Sequence, residues 1–367
     1  MSEYQYYEWQ TLDRPLTPEE RAKVGELSSH IQVTASQAIV TYSWGDFKHD
    51  PIQVLADYFD AFLYMANWGS KELAFRFPKG LLDLQQIEPY LWESCIELEP
   101  FGDYLILDIS LHDEEGYGWI EGEGWLSSLS RLREDLLEGD FRALYLAWLR
   151  AAVLEWAHDE RPEPPVPPGL KELSPPLASF VEFCELDEYL VQAAAETSPP
   201  REQEPAIPVE EAIGRLSPAE RDDFLTRLAR GEPHLSLKLN RRLQELLDVS
   251  PPAPAHRLRT WGELKARADQ IRQEAERRAR EEAEAKRIRE LQALAAREAQ
   301  AWEEVVALIE EKQGSSYDKA VELLLKLRDL ADHRDSMTGF QERVTDLQQR
   351  YARRPALQRR LREAGLV

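Results

Sequence analysis

Between Gly262 and Gly314 the chain contains neither proline nor glycine, and this run restricts its fold more tightly than any other feature of the sequence. A stretch rich in Ala, Arg, Glu and Leu, with both helix-breaking residues missing, has one regular conformation readily open to it. It predicts one helix from Thr260 to about residue 313, roughly 54 residues and about 80 Å at 1.5 Å per residue. The mean globular helix is about 11 to 12 residues. The middle of the run, RQEAERRAREEAEAKRIRE, places Glu274 before Arg278, Glu276 before Arg280 and Glu282 before Lys286. Such Glu-first i,i+4 pairs contribute about 0.2 to 0.5 kcal/mol each and can hold a solvated helix. A thin apolar seam of Leu264, Ala268, Ile271, Ala275, Ile288, Ala295, Ala299 and Trp302 is interrupted by Arg278 and Gln292. Two states are therefore open for the 260–313 helix, a solitary charged helix and an oligomer contact of coiled-coil type.

The rest of the chain is of another kind. Residues 1–200 carry 37 Asp/Glu against 13 Lys/Arg, a net of -24, while residues 201–367 carry 31 against 32, a net of +1. Eight of the ten tryptophans also lie in the first 200 residues, which makes that half the one able to build a large core. Its acidity argues against nucleic acid lying on it, because contact would add repulsion instead of releasing counterions. Two cysteines, Cys95 and Cys184, are too few for a disulfide scaffold, and their apolar flanks predict buried structural thiols in a reducing cytoplasm. No basic segment followed by an apolar run opens the chain, and no run of about 18 apolar residues occurs, so neither export nor membrane association is expected.

Local signals order the front half as α+β. Tyr4 to Leu12 reads as a strand ending at Asp13-Arg14-Pro15, and Thr17-Pro18-Glu19-Glu20 starts a helix running to about 29. Ile31 to Trp44 reads as a second strand. Asp50-Pro51 then opens a helix expected to continue through Met65, with Leu55, Tyr58, Phe59, Phe62, Leu63 and Ala66 as its apolar residues. Strands follow at Leu73–Phe77, Ser94–Glu99 and Tyr104–His112, with a short helix at 81–90. Two helices between Trp125 and Ala157 are expected to cover the sheet, and one more spans 177–195.

Prolines divide what remains. Pro162, Pro164, Pro165, Pro167 and Pro168 predict a stiff extended connector, Pro199 to Pro208 an acidic one, and Pro251-Pro252-Ala253-Pro254 a third. Ser217-Pro218-Ala219-Glu220 is a capping box opening a helix that ends near Gly231, and a partner follows at 234–247. After Gly314, short amphipathic helices are marked by Ala320, Leu323, Leu324, Leu327 and Leu330, by Phe340, Val344 and Leu347, and by Pro355 as the opening residue of the last. The expected organisation is an acidic α+β domain at 1–160, Pro-rich connectors with one helix at 161–208 and a helical pair at 209–250. A Pro-rich linker at 251–259, the long helix at 260–313 and a helical module at 314–367 complete it. From the helical pair onward the chain makes up an all-α rear half with helical hairpins.

Site-bearing patterns are sparse. His112 to Gly124 holds Asp113, Glu114, Glu115, Glu121 and Glu123, which as a loop can attract a hard cation, although the spacing is not that of an EF-hand. Gly116 and Gly118 begin a dinucleotide-like pattern that fails at Glu121, where the acids would repel phosphate. The seven histidines show no metal-ligand spacing, and no nucleophile elbow or Walker motif occurs, so no catalytic residue, metal or cofactor is assigned. Trp44 and Trp68 each adjoin a turn glycine and are candidate contact residues, with staples of the core edge as the plainer alternative. Arg350, Arg353, Arg354, Arg359, Arg360 and Arg362 form the one compact basic patch, suited to nucleic acid, to a protein partner or to the acidic front half.

Two resemblances accompany these patterns. Tyr6-Tyr7-Glu8-Trp9, Asp13-Arg14-Pro15-Leu16-Thr17, Tyr42-Ser43-Trp44-Gly45-Asp46-Phe47, Tyr58-Phe59-Asp60-Ala61, Ala66-Asn67-Trp68-Gly69 and Gly122-Glu123-Gly124-Trp125-Leu126 resemble an uncharacterised family of bacterial hypothetical proteins, over most of residues 1–250. The likeness carries no activity with it. Tyr317-Asp318-Lys319-Ala320-Val321, Leu327-Arg328-Asp329-Leu330-Ala331 and Tyr351 to Leu366 are similar to the C-terminal helical segment of bacterial SWIM zinc-finger proteins. The zinc finger has no counterpart here, so that resemblance implies only a helical end module for protein contacts. The combined expectation is a non-catalytic cytoplasmic interaction protein that docks protein partners through its helical half. The alternatives are an accessory subunit touching nucleic acid through the arginine patch, and an enzyme or cation-binding protein using the 112–123 loop.

Overall fold

The computed structural model describes residues 3–117, 121–201, 209–232, 234–247 and 259–367. Two compact units divide the chain, Met1–Arg272 and Gln273–Val367. The connector at 202–208 and the linker at 251–258 lie outside the described residues.

The first unit is α+β and is built on an antiparallel sheet. Its strands are β1 (Gln5–Gln10), β2 (Gln32–Val33), β3 (Gln37–Tyr42), β4 (Ala61–Ala66), β5 (Trp68–Pro78), β6 (Ile96–Phe101) and β7 (Tyr104–Tyr117), in the order β2-β3-β1-β4-β5-β7-β6. Helices α1 (Pro18–Gly25) and α2 (Pro51–Tyr58) join early strands, and the short α3 (Leu84–Ile87) precedes β6. Then come α4 (Trp125–Leu129), α5 (Arg131–Leu137), α6 (Arg142–Leu154), α7 (Pro175–Phe183), α8 (Glu188–Thr197), α9 (Val209–Arg215), α10 (Pro218–Ala229) and α11 (Leu235–Leu246). Ser217 forms the expected capping box with Glu220, and Thr17, expected to start α1, does so through the same arrangement with Glu20.

Burial on both faces explains the centre of the sheet. Side chains alternate along a strand, so β1 sends Tyr7 and Trp9 into a core with Val54, Leu55, Phe59 and Phe62, and Tyr6 into the larger core of the opposite face. That larger core takes in Leu63, Leu73, Phe75, Leu107 and Ile109 with the residues of α4 to α8. Gly122 is held by this packing, because a Cβ there would lie 2.3 Å from the Tyr6 ring.

The predicted helix from Asp50 to Met65 is wrong over its second half. It ends at Tyr58, and Ala61–Ala66 is strand β4, paired with β1 and β5. A strand buried on both faces reads as an unbroken apolar run, which periodicity alone cannot tell from a helix. Asp60, 1% exposed, marks the change. Its carboxylate accepts the backbone N–H of Leu12 (2.7 Å) and Asp13 (3.0 Å) and the guanidinium of Arg76 (2.8 Å). Arg133 joins this network with a two-pronged bond to Asp13 (2.8 and 2.9 Å) and a bond to the Arg76 carbonyl.

The proline run at 162–168 does not stand apart as a connector but is packed into the first unit. Glu163, Pro164, Pro167 and Leu170 are buried, because prolines bring no backbone donor that would be stranded in a core. Hydroxyls of Tyr90 and Ser198 donate to the Pro165 and Pro167 carbonyls. Glu163, 2% exposed, accepts the Tyr145 hydroxyl and both prongs of Arg259 (2.7 and 2.8 Å), whose remaining nitrogen donates to the Ala193 carbonyl. Main-chain bonds from Glu163 to Arg259, from Trp261 to Arg161 and from Gly262 to Asp159 extend the clamp. A Cβ on Gly262 would lie 2.8 Å from the Asp159 Cβ, which accounts for a glycine in a first helical turn.

The long helix is broken. Helix α12 (Trp261–Ala296) and helix α13 (Glu298–Glu310) are separated at Arg297 (φ -124°, ψ 22°). Arg is a good helix former, so propensity carries no sign of the break; it lets Ala301, Val305 and Ile309 face the following helix, α14 (Gly314–His333). The expected seam is partly used within the chain. Leu264 and Ala268 belong to the core of the first unit, and Ala295 and Trp302 pack against that of the second. Glu276 to Glu284 is exposed throughout, and the pairs Glu274–Arg278 (3.8 Å) and Glu276–Arg280 (3.4 Å) form as expected.

The second unit also contains α15 (Met337–Arg350) and α16 (Pro355–Glu363). All eight apolar positions expected at 320–347 are buried there, together with Leu357 and Leu361. Replacement of Glu163 by Gln leaves the Arg259 guanidinium without its counter-charge, and a destabilisation of about 3 kcal/mol is expected. Urea unfolding of the first unit, followed by tryptophan fluorescence, checks it.

Candidate functional site

Helix α6 ends in an unusual way. The N–H of Ala157 bonds to the Ala152 carbonyl (3.0 Å) and that of Trp156 to the Val153 carbonyl (3.4 Å), the double bond of a Schellman termination. The left-handed position of that motif normally falls to glycine, but here Trp156 holds it, at φ 49°. A side chain in this region costs on the order of 1 kcal/mol. Packing does not offset the cost, because Trp156 is 90% exposed.

The indole borders a cleft of ≈ 500 Å³ lined by Trp92, Glu155, Trp156, His158, Glu160 and Arg161, with Ala157 in its wall. Inside it the Arg161 guanidinium lies 3.3 Å from the centre of the Trp92 ring, and burial lowers its pKa. The Cys95 thiol donates to Glu155 Oε1 at 3.7 Å and is pushed up to about 11, first by burial and then by the Glu155 charge. No described cation pairs with Glu155 or Glu160. The cleft thus combines an exposed indole, two carboxylates and one stacked guanidinium.

A second convergence lies on the sheet face that α2 covers in part. The hydroxyls of Tyr7 (2.7 Å) and Tyr64 (3.0 Å) both donate to Gln5 Oε1, and Gln5 Nε2 donates to Asp46 (2.7 Å) and to the Gly45 carbonyl. Tyr64 stands opposite Glu72, and Glu72 is the diagonal neighbour of Asp108 across the β5–β7 pair. Burial, then the charges of Asp108 and Asp50, raises Glu72 to about 8. Burial, then Glu97 and Glu99, raises Asp108 to about 7.

The expected site residues are scattered. Trp44 is 74% exposed on the loop before α2, next to Gly45 at φ 83°, whereas Trp68 is half-buried at the start of β5. The 112–117 segment is strand, not loop: β7 continues to Tyr117, pairing Ser70 with His112 and Trp68 with Tyr117. Asp113 pairs with Arg150 at 2.6 Å, Glu121 and Glu123 are exposed, and residues 118–120 lie outside the described residues. In the arginine patch, Arg354 pairs with Glu310 (2.7 Å), Arg360 with Asp318 and Arg359 with Glu363 (3.6 Å). Arg350 stacks on Tyr351, Arg362 bonds to the Gln358 carbonyl, and Arg353 is exposed. Both cysteines are buried and unpaired.

Comparison of the chain with protein-family models, with curated proteins and with solved structures finds no match in any of the three. Sequence reasoning missed the cleft. Its one local signal is a helix that stops before a proline run with Trp in place of the usual terminal glycine.

Two outcomes are expected. Trp156→Gly should raise stability by about 0.5 to 1 kcal/mol, since glycine takes the left-handed conformation freely and little indole contact is lost; chemical denaturation measures it. Glu72 and Asp108 hold protons in the folded chain that the unfolded chain releases, so their contribution is greatest below about pH 4 and is lost as pH rises through 7 to 8. The double change Glu72→Gln, Asp108→Asn should therefore become more stabilising from pH 4 to pH 8, by about 1 to 3 kcal/mol, in a pH series of unfolding curves.

Proposed function

We propose that this chain is a non-catalytic docking protein that engages a protein partner at the end of α6. The observation that carries the reading is Trp156, a large apolar side chain exposed to water at a backbone position that disfavours it. Neither core packing nor local backbone preference accounts for that choice, and exposed Trp is a frequent anchor of protein interfaces. Leu225 and Leu228, one turn apart on α10 and each 63% exposed, supply a further apolar strip among the helices. The arginine patch supports nucleic-acid contact less well, since Arg354, Arg359 and Arg360 already have carboxylate partners.

A second reading, an acid–base site, draws on Glu72 and Asp108, two neighbouring carboxyls raised by burial and by each other's surroundings, with Tyr64 opposite Glu72.

Affinity capture from the native host with the full chain, in parallel with Trp156→Gly, tests the docking reading. Proteins retained by the unaltered chain and lost with the variant are expected. Identical sets from the two baits overturn it.

A further inference from the structure

We infer that the cleft at the end of α6 is a receptor for an arginine side chain of the partner polypeptide, stacked on the Trp156 indole and paired with Glu155 and Glu160. The inference rests on the reading that partners dock at Trp156, and it adds the chemistry of what they insert.

Three observations point to a guanidinium. Glu155 and Glu160 line the cleft, and no described cation neutralises either. Residues 1–200 carry a net charge of -24, so a cationic group is drawn to this half of the chain and an anionic one is repelled. The cleft itself already shows the geometry, with Arg161 lying flat 3.3 Å from the Trp92 ring centre, while the second indole of the same cleft, Trp156, has its faces open to solvent. A planar guanidinium stacks on an indole and presents a fork to carboxylates, whereas an ammonium is a compact, strongly hydrated point charge. Arginine therefore uses both elements of the cleft at once, and lysine uses them less well. At ≈ 500 Å³ the cleft has room for the side chain and the adjoining backbone.

Any polycation will adhere to so acidic a chain, so the decisive comparisons, arginine against lysine peptide and the unaltered chain against Trp156→Gly, leave the charge unchanged. The full-length protein is titrated at 150 mM salt with a (Gly-Arg)₄ peptide and with its citrulline and lysine counterparts, following tryptophan fluorescence and indole N–H resonances. The Trp156 resonance is assigned by its loss in Trp156→Gly. Arginine peptide should shift it and bind at least about tenfold more tightly than citrulline peptide, with lysine between them. Trp156→Gly should weaken the arginine peptide by about tenfold or more with no change in net charge, and Glu155→Gln with Glu160→Gln, which removes the two carboxylate charges, should also weaken it by about tenfold or more. Equal binding of arginine and lysine peptides, or of arginine peptide to the unaltered chain and to Trp156→Gly, overturns the inference. If Trp156→Gly still abolishes partner capture in that case, docking at Trp156 stands and only the arginine occupant falls.

Discussion

A single buried carboxylate, Glu163, holds together parts of the first unit that are far apart in sequence. Its two oxygens take the Tyr145 hydroxyl from α6 and the fork of Arg259 from the start of α12, while its own backbone N–H bonds back to the Arg259 carbonyl. A buried ion pair offsets its desolvation only when its geometry is complete. Here the remaining Arg259 donor also finds a partner, the Ala193 carbonyl in the middle of α8. Through this group the proline run lies against the core, and Trp261, Leu264 and Ala268 become core residues instead of the beginning of a free arm.

The same principle recurs at Asp60, where two backbone donors and Arg76 converge on one carboxylate between α2 and β4. The Asp60 carboxylate takes backbone donors that would otherwise be left without partners, whereas that of Glu163 takes side-chain donors only. Apolar burial on the two faces of the sheet supplies most of the cohesion. The buried charges select which chain path is followed.

Trp156 belongs to a different economy of forces. It terminates α6 correctly through its backbone, yet its side chain adds strain and exposes apolar surface, both unfavourable to folding. The cleft it borders gathers acids at 155 and 160, an arginine at 161 and Trp92 across from it. These residues come from two stretches about 60 residues apart, and packing of Trp92 against Trp148 of α6 brings them together.

Much was legible because it depends on near neighbours. The helix starts at Thr17, Ser217 and Pro355, the i,i+4 ion pairs of α12 and the apolar stripes at 320–347 all follow from residues within one or two turns of each other. Trp44, predicted as a contact candidate, is exposed, but the arginine patch turned out to be largely paired within its own unit. What could not be read locally depended on distant partners. The run 61–66 became a strand because β1 and β5 lie on either side of it, the proline segment was buried by Tyr145 and Arg259, and Arg297 broke a helix so that α13 could meet α14. The sequence by itself determined the α+β class and the helical character of the rear half, since period, caps and breakers act over a few residues. Only the tertiary structure decided which segments are covered and which indole is left in water, because burial depends on side chains brought together by the whole fold.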